Sequence, residues 1–182
     1  MSAEPESRDW LVLIYRVPSE PTRLRATVWR RLRSLGAVYL QNSVTALPNS
    51  LAAERALRKL RHEITEMGGS AVLLHSTALV GEEDVLNAFQ EARNDEYEEI
   101  VDRCQDFLVQ VQKEHLAEHF TFAELEENEV DLVKLQSWFA KVAERDTLGA
   151  AGREEAEAAL ARCETSLEAY ASRVYEVEQG AH

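Results

Sequence analysis

The pattern of apolar residues changes character once along the chain, at Gly81. Before it, short apolar runs bounded by proline and glycine alternate with single helical stripes. After it, only helical periodicity remains. Two packings follow: a mixed α+β layer in the first half and a helical bundle in the second.

In the first half, residues 10–17, WLVLIYRV, are apolar at both alternate sets of positions and predict a central strand. Pro18 and Pro21 end it, and Ser19 or Thr22 can cap a helix over 22–35, where Leu24, Val28, Leu32 and Leu35 form one stripe. Gly36 stops that helix. Residues 37–47 predict strand again, broken at Gln41, Asn42 and Ser43 by a bend, a bulge or a tight hairpin. Pro48, Asn49 and Ser50 launch a second helix with Leu57, Leu60, Ile64 and Met67 on its stripe, and Gly68 and Gly69 end it. Residues 71–80 predict a last strand. This order is that of a ferredoxin-like βαββαβ sandwich, with both helices on one sheet face and the other face left for a partner or for the later helices.

In the second half, Tyr97, Val101, Cys104, Leu108, Val111 and His115 alternate by four and three in a helix that starts near Glu82. Leu132, Leu135, Phe139 and Val142 mark a second helix. Ala156, Leu160, Cys163, Leu167, Tyr170, Val174 and Val177 mark a third, after a break at Thr147-Leu148-Gly149. The domain reading is a flexible N-terminus over 1–9, a ferredoxin-like domain over 10–80 and an acidic three-helix bundle over 81–182.

Charge divides along the same line. Residues 1–80 hold 11 Lys and Arg against 7 Asp and Glu, while residues 81–182 hold 9 against 26. A protein that coats duplex DNA needs positive partners along its length, so any nucleic-acid role is confined to the first half. Neither a membrane-spanning run nor a signal-peptide pattern occurs, which predicts a cytoplasmic protein.

The candidate chemistry is sparse. Arg23, Arg30, Arg31, Arg33, Arg55 and Arg58 stand on the two basic helices, where guanidinium forks can hold DNA phosphates or a tetrahedral oxyanion. The plainer reading makes them solvated helix surface or partners of the acidic half. His115 and His119 are spaced as metal ligands on a helix, but no third ligand accompanies them. Cys104 and Cys163 lie on apolar stripes and read as buried structural residues. Glu124, Glu126, Glu127 and Glu129 read as a solvated face. Nucleotide-binding, nucleophile-elbow and zinc-finger patterns are missing from the sequence. The expectation is no catalytic residue, no metal and no cofactor.

The scattered identities Trp10, Leu11, Tyr15, Val17, Pro18, Arg25, Trp29, Arg30, Leu32, Leu35, Gly36, Ala37, Val38, Asn42, Ser43, Val44, Leu47 and Pro48 resemble the N-terminal domain of the ChrB family of chromate-resistance regulators. The run KLQSWFAKVAERDTLG, with Trp138, Arg145, Asp146 and Gly149, and the Cys163 helix ending near Tyr175 resemble it too. More distantly, Gln41, Ser43 and Val44 are similar to an element shared by PaaX-type repressors and the small CRISPR-adaptation ferredoxin-like nucleases. Those nucleases hold metal with an aspartate near the end of the first strand, where this chain has Arg16, Val17 and Pro18. The resemblance implies a non-enzymatic, chromate-responsive, DNA-binding transcriptional regulator that forms a homodimer, with chromate as effector. A protein-interaction module and an oxyanion sensor are the alternatives.

Overall fold

The computed structural model describes residues 8–180. The expected flexible N-terminus lies outside the described residues over 1–7, and Asp9 already belongs to the first strand. Nine elements follow: β1 (Asp9–Arg16), α1 (Arg23–Leu35), β2 (Val38–Gln41), β3 (Val44–Pro48), α2 (Leu51–Glu66), β4 (Ser70–Thr77), α3 (Glu82–Leu116), α4 (Phe122–Arg145) and α5 (Arg153–Gly180). The chain divides into two compact units, one ending at Phe89 and the next beginning at Gln90, so the division falls inside α3. None of the described helices is long and apolar enough to cross a membrane.

The first unit is α+β, built on a four-stranded antiparallel sheet of order β2-β3-β1-β4. β1 is paired on both sides, which is why it is apolar at consecutive positions. Its residues Leu11 and Leu13 are buried, as are Leu47 and Ala71 on the flanking strands. Val28 and Leu32 of α1 and Leu57, Leu60 and Ile64 of α2 supply the helical side of this core. Each such side chain contributes about 1.5–3 kcal/mol by leaving water. The polar break at 41–43 is both a hairpin and a bulge. Asn42 and Ser43 turn the chain, Ser43 at a φ of 66°, and the register slips between Tyr39 and Gln41.

Local chemistry fixes the helix ends. Ser50 Oγ accepts the Ala53 amide at 3.0 Å at the start of α2, whereas Thr22, at the equivalent position of α1, makes no side-chain cap. Gly36 ends α1 at a φ of 80°. Gly69 serves a different need: a Cβ there would stand 2.3 Å from the Arg16 carbonyl oxygen, so only glycine lets the end of β1 and the start of β4 come this close.

The opposite sheet face is covered at one end within the same unit. Trp10 Nε1 donates to Glu82 Oε1 at 3.1 Å, and Phe89 packs on the Trp10 ring at 6.2 Å. Farther along, Ile14 (42% exposed), Val72 (54%) and Leu74 (42%) remain open, with Ile14 opposite Val72 and Val12 opposite Leu74. They form a continuous apolar strip.

In the second unit α3, α4 and α5 bury one core: Tyr97, Ile100, Cys104, Phe107 and Val111 of α3, Leu125, Leu132 and Val142 of α4, and Ala156, Leu160, Cys163, Leu167, Tyr170 and Val174 of α5. On α3 the buried stripe is rotated from the expected one. Ile100 and Phe107 are buried, while Val101 and Leu108 pack at its margin and His115 is exposed. A helix seated against two neighbours buries a wider sector than one stripe, and the periodic residues Val101 and Leu108 mark its flank. Val177, the last residue of the expected α5 stripe, is 44% exposed.

Charged and polar groups enter this core. Arg93, Glu96, Glu114 and Asp146, together with the amide of Asn128, are all buried. Arg93 Nε lies 2.9 Å from Glu96 Oε2, Arg145 reaches the same carboxylate, and Asp146 accepts the Tyr97 hydroxyl at 2.9 Å and the Ala150 amide. Glu114 accepts from Gln110 and Asn128. A buried charge survives only with such partners, and these contacts tie α3 to α4.

Candidate nucleic-acid interface

α1, RLRATVWRRLRSL, carries five arginines and no acidic residue. Because Val28 and Leu32 hold one side of the helix inward, the remaining turn positions are set by geometry. Arg23, Arg30 and Arg33 recur along the outward side and are exposed. Trp29, 46% exposed, stands among them, and the Arg33 guanidinium lies over its ring at 5.3 Å from the centroid.

The six candidate arginines separate into two groups. Arg31 points across the helix pair and meets Glu63 Oε1 of α2 at 2.9 Å; Arg58 meets Glu54 of its own helix at 2.7 Å. Both pairs are well exposed, so each is worth at most about 1 kcal/mol and is screened by salt. Among the described residues Arg23, Arg30, Arg33 and Arg55 form no ion pair. The structure therefore brings Arg23, Arg30 and Arg33 onto one free face, places Arg31 at the α1–α2 seam, and sets Arg55 and Arg58 on α2.

Arg61 has a role of its own, donating from Nε to the Ala71 carbonyl at 3.0 Å and tying α2 to β4. Beside it runs an open groove of about 710 Å³ lined by Leu11, Asn49, Glu54, Arg58, Leu73 and His75. His75 lies 3.2 Å from Asp9. Carboxylates thus face the groove together with its arginines, and the cationic surface without acids is that of α1.

The other candidates resolve differently. α3 ends at Leu116, so His115 and His119 do not share a helix face. The His119 carbonyl accepts the Tyr170 hydroxyl, and His115 stacks edge-on against Phe120 at 5.1 Å. No group of three metal-ligating side chains occurs among the described residues. Glu126, Glu127 and Glu129 are exposed and Glu124 sits in the first turn of α4, next to the Thr121 cap. Cys104 and Cys163 are both free and buried; burial raises the thiol pKa of each, that of Cys163 to about 12. The buried ionic residues Arg93, Glu96 and Glu114 and the buried amide of Asn128 escaped sequence reasoning.

A family model described as Protein ChrB, N-terminal, matches residues 25–181, taking in most of α1, all of α2 and β4, and the three bundle helices. No curated protein matches the chain. The run read from sequence as family-like, with Arg145, Asp146 and Gly149, lies inside that match and supplies two members of the buried ionic cluster. With the match extending over both units, the chain belongs to the ChrB N-terminal domain family.

Proposed function

We propose that this protein is a non-enzymatic regulator of chromate resistance that holds DNA phosphates on the outward face of α1. The observation that carries the reading is the acid-free row of Arg23, Arg30 and Arg33 beside the exposed Trp29. Guanidinium forks match phosphate oxygens, and a helix face with no carboxylate leaves them open to an external anion. The βαββαβ order and the β2-β3-β1-β4 arrangement support a ferredoxin-like frame for this face.

A homodimer is part of the reading. The strip of Ile14, Val72 and Leu74 is apolar and exposed, and a second copy placed over it buries the same residues from both sides. Two copies double the phosphate contacts. Chromate acts in this account as the effector that alters DNA affinity. Titration of labelled duplex from the protein's own upstream region, at two salt concentrations and with or without chromate, tests both halves. The expected result is a complex that weakens with salt and changes affinity with chromate; no complex at micromolar protein removes the DNA half, and an affinity indifferent to chromate removes the effector half.

A further inference from the structure

The chain holds two cysteines, and the fold of the second unit sets them side by side although 59 positions separate them. Cys104 lies in the middle of α3 and Cys163 in α5, each with no exposed surface. Cys163 Sγ donates to the Cys104 carbonyl oxygen at 3.4 Å, which brings the two residues into contact across α3 and α5. Both residues belong to the apolar core of the bundle and the chain has no other cysteine, so the pair is shielded from solvent and has no competing thiol.

We infer that Cys104 and Cys163 form a closable dithiol, a modification site at which one disulfide locks α5 onto α3. A small-molecule disulfide such as oxidised glutathione is the oxidant. One protein thiolate attacks a glutathione sulfur, giving a mixed disulfide and releasing one reduced glutathione. The second protein thiolate then attacks the protein sulfur of that mixed disulfide, forms the Cys104–Cys163 bond and releases a second glutathione. Two S–H bonds and one S–S bond are lost, and one S–S bond and two glutathione thiols are gained.

The surroundings set when this happens. Attack needs a thiolate and access, and the closed bundle withholds both: burial raises each thiol pKa and covers each sulfur. The reaction therefore proceeds from states in which α5 has parted from α3, and the disulfide, once formed, prevents that parting. The bundle has a reduced state free to open and an oxidised state held shut. This inference rests on the second unit alone and stands apart from the DNA reading.

Equilibration of the full chain in glutathione redox buffers, folded and in urea, tests it, with the disulfide fraction read by alkylation and mass spectrometry. If the disulfide fits the fold, the equilibrium constant for closing it is larger in the folded protein than in the unfolded chain. By linkage, the oxidised protein then also melts at a higher temperature than the reduced one. A constant equal to or smaller than that of the unfolded chain, or an oxidised protein that melts at the same or a lower temperature, overturns the inference. Cys104→Ser and Cys163→Ser each abolish the melting shift while leaving the reduced protein's circular dichroism unchanged; a shift that persists in either variant overturns it as well.

Discussion

Arg145 of α4 grips the Glu96 carboxylate of α3 with two nitrogens, Nε donating to Oε2 at 3.2 Å and Nη2 donating to Oε1, while Arg93 approaches Oε2 from the same helix as Glu96. One buried carboxylate thus serves two guanidiniums, and desolvation lowers the Arg93 pKa against the opposing pull of Glu96. Removing one partner of a buried pair costs more than the pair contributes, because the charge left behind has no water to turn to.

Glu96→Gln is therefore expected to destabilise the second unit by about 3 kcal/mol. Arg145→Met is milder, since Arg93 still pairs with Glu96. Urea unfolding followed by far-ultraviolet circular dichroism distinguishes the two. Equal losses from both substitutions contradict the shared-carboxylate arrangement.

Alkaline pH supplies a second expectation. Burial raises the pKa of Tyr97, helped by its hydrogen bond to Asp146, and also that of Tyr170 and both thiols, Cys163 to about 12. A group whose pKa is higher in the folded state stabilises fully below its unfolded value and loses that contribution as pH climbs toward the folded value. Stability is thus level up to about pH 8.5 and then falls, first from the thiols and more steeply above about pH 10 as the unfolded-state tyrosines ionise. Each group adds about 1.4 kcal/mol per pH unit within its window. Urea midpoints from pH 8 to 11 show this, and Tyr97→Phe makes the upper limb shallower. A midpoint that rises across the interval contradicts it.

The apolar strip predicts self-association. Val72→Glu puts a charge at the most exposed position of the strip, opposite Ile14. Sedimentation velocity is expected to show a dimer for the unaltered chain and a monomer for V72E, with unchanged circular dichroism. A monomer in both cases removes the dimer from the account.

Much of the frame was legible in sequence because each boundary had a local cause. Gly36 ended a helix, Ser50 capped one, and Gly81 preceded the three acids that open α3. The hidden part was ionic. Periodicity assigns charge to the solvent side, so Arg93, Glu96 and Glu114 were read past. Yet Glu114 continues the buried sequence Ile100, Cys104, Phe107 and Val111 at helical spacing, and Asn128 sits between Leu125 and Leu132. A charged or amide residue at an apolar phase was the available signal. The division among the arginines was not legible at all, because Arg31 and Arg33 differ only in which side of α1 they occupy and whether a glutamate waits there.

That division gives the most direct test of the central claim, through the slope of log Kobs against log salt for duplex DNA. Three arginines per chain, six in a dimer, predict a slope of about −5. The combined R23A, R30A and R33A substitutions are expected to bring it close to zero, whereas Arg31→Ala, which removes a residue already paired with Glu63, leaves it nearly unchanged. A triple variant that keeps the full slope, or an Arg31→Ala variant that loses as much as the triple, contradicts phosphate binding on the outward face of α1.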